Sequence, residues 1–212
     1  MPTYGQLQTR LRDDLNRGAS FNPRIRQAIV DAIAFYESRR FTFNTKRAEA
    51  SLTADAEYVT LPTDFIEVDY LRLTDTNSYD PLREVTYYWI EQNRRSTSHR
   101  SRPENYAVQN KELRLFPVSD GAYTLTISYI YELSEISQSA SDGATNAWTN
   151  DAEELIRLHA MSDLLRTRIR GPEAIMEADN LDRRGGKIDR VYRTLRRRAN
   201  RQESTGRLEP WS

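Results

Sequence analysis

The amino-acid sequence predicts an α+β protein in which terminal helices form a small bundle around an inserted, mostly antiparallel β unit, with an extended C-terminal helix and tail. Three observations support this fold class. Apolar residues recur at helical spacing near both ends, residues in the middle alternate in polarity, and a small polar segment follows the alternating region. The expected divisions are 1–40 and 148–201 for the helical bundle, 41–136 for the β unit with a short helix, 137–147 for a linker, and 202–212 for a flexible tail.

Two amphipathic helices joined across Gly18 are predicted at the N-terminus. In the second helix, Asn22 is expected as the N-cap and Pro23 at the first helical position. The apolar positions that define the pair are Tyr4, Leu7, Leu11 and Leu15, followed by Ile25, Ile29, Ile33 and Tyr36.

The middle of the chain predicts strands, because β-branched and aromatic residues alternate with polar ones. Asn110 and Lys111 are expected to form the turn of a hairpin that Pro117 closes. A short helix is expected over 81–95, before an arginine-rich polar loop. The predicted strands are 41–43, 58–62, 66–73, 106–109, 112–116 and 123–131.

The C-terminal third predicts one helix over 148–170 and a second helical run over 172–201. Gly185 and Gly186 interrupt the second run, and each glycine costs about 1 kcal/mol relative to alanine inside a helix. The glycine pair therefore marks a break, which fits either a movable hinge or a plain inter-helix turn.

The final run carries a basic stripe and an apolar stripe on roughly opposite sides. From Asp182 to Arg201 there are nine basic and two acidic side chains, a net charge of +7. The basic stripe consists of Arg183, Lys187, Arg190, Arg197 and Arg201. The apolar stripe consists of Leu181, Ile188, Val191, Tyr192, Leu195 and Ala199.

The whole chain is formally neutral, with 31 basic and 31 acidic side chains, so its charge is polarised. Residues 118–156 contain seven acidic and no basic side chains. These opposed regions favour head-to-tail contacts between copies, which close into rings if the rotation allows, although two solvated faces fit the pattern equally well. Neutrality argues against a dedicated nucleic-acid-binding protein.

Other classes of protein are disfavoured by composition. The absence of cysteine excludes disulfides and thiolate metal sites. The N-terminus lacks the apolar core of a signal peptide, and no stretch approaches the ~20 apolar residues of a membrane span. His159 is expected to be a packed or surface histidine, and His99 lies in the arginine-rich loop. We expect no catalytic, cofactor-binding or metal-binding residues.

Several segments resemble the head-to-tail adaptor (connector) proteins of tailed bacteriophages, including tail accessory factors. The matching pieces are AIAFYESRRFTFN, YVTLPTDFIEVDYLRL, PENYAVQNKELRLFPV with YTLTISYIY, and NAWTNDAEELIRLHAMSDLLRTRI with the closing helix. The resemblance implies a non-enzymatic virion protein at the head-tail junction, assembled in the bacterial host cytoplasm. It implies a ring, typically of twelve copies, that lies beneath the portal protein, extends the DNA channel without sequence-specific binding and docks the tail or nozzle protein.

The resemblance also implies roles for residues of this chain. Because the family's C-terminal helix and tail reach into the portal, the portal-binding residues are expected to be Lys187, Arg190, Val191, Leu195, Arg197, Arg201 and Trp211. The acidic residues expected at the neighbouring subunit or the channel are Glu132, Glu135, Asp151, Glu153 and Glu154. The alternatives are nucleic-acid binding by the arginine stripe and, less favoured, a tail-associated cell-wall hydrolase.

Overall fold

A computed structural model describes residues 1–74, 79–94, 100–133 and 136–206, with the side chains of the last helix described through Asn200. The chain divides into two compact units. The helical unit comprises residues 1–44 and the chain from Glu132 onward, and the β unit comprises Thr45–Tyr131. The α+β class predicted from the sequence is confirmed.

The helices are α1 (Tyr4–Asp14), α2 (Asn22–Glu37), α3 (Tyr87–Arg94), α4 (Ala147–Asn150), α5 (Glu153–Leu164), α6 (Pro172–Asp182) and α7 (Lys187–Gly206). Short 3-10 turns lie at Ala19–Phe21 and Thr42–Asn44, and a π-helical turn lies at Leu165–Ile169. The strands are β1 (Thr45–Leu52), β2 (Tyr58–Thr60), β3 (Phe65–Thr74), β4 (Tyr79–Pro81), β5 (Arg83–Glu84), β6 (Asn105–Gln109), β7 (Glu112–Phe116) and β8 (Tyr123–Tyr131).

The two N-terminal helices form as predicted, and their apolar sides enter the core of the helical unit. Thr3 begins α1 with a capping box, in which its hydroxyl accepts from the Gln6 N–H and the Gln6 side chain accepts from the Thr3 N–H. The cap predicted for α2 is wrong by one position, because Phe21 is the N-cap and makes no side-chain cap bond. The preceding 3-10 turn leads directly into α2 and takes over that role.

The helix predicted over 148–170 is divided into α4, α5 and the π-helical turn. Asn146 caps α4, and its side-chain oxygen accepts hydrogen bonds from the Trp148 and Thr149 N–H groups at 2.9 and 3.2 Å. The first of these helices ends at Asn150, and α5 starts at Glu153 after a two-residue turn. Two acidic side chains, Glu153 and Glu154, lie in the first turn of α5, where the helix dipole favours negative charge.

The segment 137–147, interpreted from the sequence as a linker, lies in the helical unit and is hydrogen-bonded to α1. The Tyr4 and Gly5 N–H groups each donate to carbonyl oxygens of this segment, those of Ala144 and Asp142, at 2.9 Å. The Asp142 carboxylate also accepts from the Arg26 guanidinium at 2.6 Å. A Cβ on Gly5 would lie 2.7 Å from the Asp142 Cβ, so the glycine permits this close approach.

The β unit contains two four-stranded sheets, ordered β1-β8-β3-β4 and β2-β7-β6-β5. All pairs are antiparallel except the short pairing of β5 with β6. The predicted hairpin is present, with Asn110 and Lys111 at φ 53° and 61° as a type I′ turn requires. The core of the β unit includes Leu71, Leu73 and Leu113, which are at most 2% exposed.

Two local predictions for the middle of the chain are wrong. Residues 41–43 are not a strand, because the Asn44 side chain accepts from the Phe41 N–H at 2.7 Å and closes the 3-10 turn. The helix predicted over 81–95 begins only at Tyr87, because Leu82 is buried in the β-unit core and Arg83–Glu84 pairs with β6. Within the described residues, no helix is long and apolar enough to cross a membrane.

Candidate protein interface

A tight turn at Gly185 and Gly186 sets the position of α7. Gly185 has a φ of 78°, and its N–H donates to the Asp189 carboxylate at 2.7 Å. That hydrogen bond lowers the pKa of the Asp189 carboxyl. A Cβ on Gly186 would lie 2.6 to 2.8 Å from three backbone carbonyl oxygens, those of Leu181, Arg183 and Asn180. The break predicted at the glycine pair is therefore a capped turn between α6 and α7.

The apolar side of α7 belongs to the core of the helical unit. Ile188 and Leu195 belong to this core at 8% exposed, and Val191 and Tyr192 pack against it. Ala199 is also buried, at 4% exposed. Val191 and Leu195, which the resemblance assigned to portal contact, thus point into their own subunit. Truncating the chain at Gly186 would remove part of this core as well as any interface.

Aromatic rings of α2 and the Arg39 side chain that follows this helix contact the middle of α7. The Arg39 guanidinium lies 4.5 Å from the Phe35 ring centre and 5.5 Å from that of Tyr192. It donates to the Tyr192 hydroxyl at 3.5 Å, and Arg196 donates to the same oxygen at 3.1 Å. Burial raises the pKa of the Tyr192 phenol, but these two cationic donors outweigh it and hold the pKa below its usual value. The chain offered no sequence signal for this cluster, since its members come from separate helices.

The basic stripe of α7 is exposed. Lys187, Arg190 and Arg197 are exposed, and Lys187 lies 3.9 Å from Glu154. Among the residues that the structure describes, five exposed arginines of this stretch form no ion pair with a carboxylate: Arg183, Arg184, Arg190, Arg197 and Arg198. The Arg201 side chain and Trp211 lie outside the described part of the molecule. The structure therefore leaves strong positive charge on a firmly held helix.

Some of the acidic residues predicted at an interface form ion pairs within their own subunit, and others are exposed. Glu153 pairs with Arg10 at 3.3 Å and with Arg157 at 3.6 Å, within its own subunit. Asp151 is exposed. Glu132 is exposed and lies near Glu37, whose carboxyl pKa is raised by burial and by the Glu132 charge. Glu135 lies outside the described residues. The acidic region is thus partly neutralised inside the helical unit.

A groove of about 270 Å³ lies between the start of α5 and α7. Its floor is apolar, and its two walls carry opposite charges. The floor consists of Ala152, Leu155, Val191 and Leu195, the acidic wall of Asp151 and Glu154, and the other wall of Arg190, Thr194 and Arg198. We refer to it as the α5–α7 groove.

His159 is packed, in agreement with the sequence interpretation. Its Nδ1 lies 3.2 Å from the Tyr36 hydroxyl, and its ring centre lies 4.8 Å from that of Phe35. Burial lowers the pKa of its imidazole. His99 lies outside the described residues. In the described ranges, no three histidine or acidic side chains are grouped so that they could hold a metal ion.

A comparison with known protein families shows the family of this chain. The family described as SU10 adaptor protein matches residues 2–208. The chain belongs to the SU10 adaptor protein family. This family consists of structural adaptors and is not an enzyme family, which confirms the resemblance to phage head-to-tail adaptors and indicates a virion protein. No curated protein matches the chain.

One surface of this SU10 adaptor protein was missed in the sequence analysis. On α6, Met176 is 62% exposed and Ile175 is 45% exposed, while Ala178 is buried on the opposite side. Glu173 and Glu177 are exposed and lie on the same side as Met176. The spacing of acid, methionine and acid at i, i+3 and i+4 is the signal that would have identified this face. We refer to these three residues as the α6 face.

Proposed function

We propose that this SU10 adaptor protein forms a ring, with twelve copies as the family resemblance implies, beneath the portal of a phage head. The ring extends the DNA channel and provides the docking surface for the tail or nozzle protein. It assembles in the host cytoplasm and remains in the virion. Family membership and the polarised charge of a neutral chain support this proposal.

The single observation that carries the portal contact is the exposed basic side of α7. Lys187 and Arg197 project from a helix whose opposite side is buried in the core, so their positions are well defined. Charged side chains on a rigid helix steer association and fix orientation. We assign them to an acidic surface of the portal, together with Arg201 and Trp211 of the C-terminal segment.

The experiment is capture of the chain by purified portal rings, followed by electron microscopy. The test variant carries Lys187→Glu and Arg197→Glu. Its matched control carries Arg24→Glu and Arg168→Glu, which change the charge equally at exposed positions elsewhere in the helical unit. A second chain ends at Gly206 and lacks Trp211 but keeps α7.

We expect the test variant to bind the portal at least about tenfold more weakly than the control. Truncation after Gly206 should also weaken binding, because it removes Trp211 from the portal contact. Equal capture of the test variant, its control and the wild-type chain would show that the basic side of α7 does not face the portal. Absence of any capture of the wild-type chain would refute the adaptor proposal itself.

DNA is the second candidate partner of α7, favoured by arginines that have no carboxylate partner within the described residues. Phosphate binding releases counterions, so affinity should fall with salt at a slope of about −0.9 per phosphate contacted. Fluorescence anisotropy with a labelled duplex at increasing salt measures this slope. A flat, weak response would leave the channel as a passage that DNA does not bind.

A further inference from the structure

Ion pairs within one subunit limit which charged surfaces are available for contact between copies. The sequence predicted contact between the acidic region 118–156 of one copy and the basic final helix of another. In the structure, Glu154 lies beside Lys187 of its own subunit, and Glu153 is paired with Arg10 and Arg157. Those carboxylates are neutralised within one subunit. Within the described residues, Arg190 and Arg198 form no ion pair with the acidic wall of their own groove, Asp151 and Glu154, so both arginines are open to an acidic partner.

The α6 face has the chemistry that the groove requires. Within the described residues, Glu173 and Glu177 are exposed and have no cationic partner, and Met176 between them is 62% exposed. Across the groove, Arg190 and Arg198 have no carboxylate partner among the same residues. Each surface thus presents charge that its own subunit leaves unbalanced.

We propose that the α6 face of one copy docks into the α5–α7 groove of a second copy. Met176 enters the groove and contacts Val191 and the accessible edge of Leu195 on its floor. Its flexible thioether side chain fits an irregular apolar recess. The flanking glutamates reach the arginines on the wall.

The acidic pair of one surface is shorter than the arginine pair of the other, and the long arginine side chains can bridge the difference. Glu173 and Glu177 are separated by one helical turn, about 6 Å along the axis, and Arg190 and Arg198 by about 12 Å. Two arginines therefore bracket the acid pair, with Thr194 and the apolar floor opposite Met176. Because α6 and the groove are different surfaces of the subunit, the contact is heterologous, and repetition of such a contact produces a ring when the rotation closes.

This inference rests on the proposed ring and assigns its subunit contact. The absence of cysteine allows a direct test, because any disulfide must come from introduced residues. One chain carries Met176→Cys and a second carries Thr194→Cys, and the two are mixed on portal rings and oxidised. A disulfide requires the two Cα atoms to lie within about 7 Å, so only a true contact forms the link. Using two singly substituted chains removes any link within one subunit.

We expect a disulfide dimer from the mixture and none above background from either chain alone. The matched control mixes Met176→Cys with Ser139→Cys, a substitution at an exposed loop position of the same unit. Linking equal to that control, or no linking although rings form on the portal, would overturn this contact and leave the adaptor function standing. Absence of rings from unsubstituted chains would refute the proposed function, and this inference with it.

Charge exchange provides an independent test. Glu173→Arg with Glu177→Arg should reduce the number of copies per portal ring, with roughly tenfold weaker assembly, because it places arginine against arginine. Arg190→Glu with Arg198→Glu should do the same. The chain carrying all four substitutions should regain most of the occupancy, measured by native mass spectrometry. Failure of the fourfold variant to regain any occupancy would argue against direct pairing of these residues.

Discussion

Replacement of Gly186 by alanine tests whether the α6–α7 connection is a tight turn or a hinge. The added Cβ would lie 2.6, 2.7 and 2.8 Å from three carbonyl oxygens, all of them backbone atoms. Since a backbone oxygen cannot rotate away, the turn must move, and α7 carries Ile188 and Leu195 in the core. Overpacking of this kind costs about 1 to 3 kcal/mol.

The opposing contribution is small. Alanine restricts the unfolded chain and thereby stabilises the folded state by about 0.4 to 1 kcal/mol where the site has room. The net expectation for Gly186→Ala is a loss of about 1.3 kcal/mol in the free energy of unfolding, which for a chain of this length lowers Tm by roughly 3 to 5 °C. The matched control is Gly18→Ala, because no atom lies within 4 Å of a Cβ added there.

Thermal unfolding followed by far-ultraviolet circular dichroism measures both variants. Gly18→Ala should unfold at or slightly above the wild-type temperature, and Gly186→Ala several degrees below it. A Gly186→Ala chain as stable as the Gly18→Ala chain would refute the tight-turn interpretation and favour a hinge, since a hinge with open space tolerates alanine.

Three further predictions follow from other contacts. Asp142→Ala removes a partly exposed ion pair worth about 0.5 to 1 kcal/mol, so amide hydrogen exchange at Gly5, read by NMR, should accelerate, and unchanged exchange would contradict the prediction. Arg114 is 5% exposed beside Glu91 at 2.6 Å, so Arg114→Met should destabilise the β unit by roughly 2 kcal/mol in urea unfolding, and a neutral effect would show that the buried charge is dispensable. Burial holds the folded-state pKa of the His159 imidazole below its ordinary value. The contribution of His159 to the free energy of unfolding is therefore fully present above about pH 6.5 and is lost as pH falls through the folded pKa. His159→Gln should abolish this acid-dependent loss, measured by unfolding scans at several pH values.

Periodicity in the sequence was sufficient to predict many of the buried residues of elements whose pattern is local. The apolar stripe of α7, including Ile188, Leu195 and Ala199, is the buried side in the structure. The alternation over β8 identifies Leu125 and Ile127 as buried, but the strand also buries Thr126 and Ile130 of its other face. Both patterns follow from the geometry of a single helix or strand, so neighbouring residues alone determine them.

Elements that depend on distant partners were not predictable in this way. Strand β1 was missed because Lys46, Arg47 and Glu49 place charge on an edge strand, and only Leu52 in it is fully buried. Conversely, the 3-10 turn at 42–44 resembled a strand in composition, and only the Asn44 side chain reveals it.

The same limit applies to the candidate interface. Net charge identified a basic helix and an acidic region, but it did not identify which acids are neutralised within the subunit. Lys187 and Glu154 are far apart in sequence and meet only when α7 packs against α5. Which surfaces remain available for partners is therefore a property of the packed helical unit.

The chain enters and leaves the β unit through two neighbouring strands, β1 and β8. Thr45, its first residue, pairs with Ile130, one position before its last, so the two Cα atoms lie about 5 Å apart. A short loop is sufficient to bridge that gap. The β unit is therefore inserted through closely spaced ends, and we expect a different domain whose own ends lie equally close to be accommodated between Asn44 and Glu132 with little change to the helices.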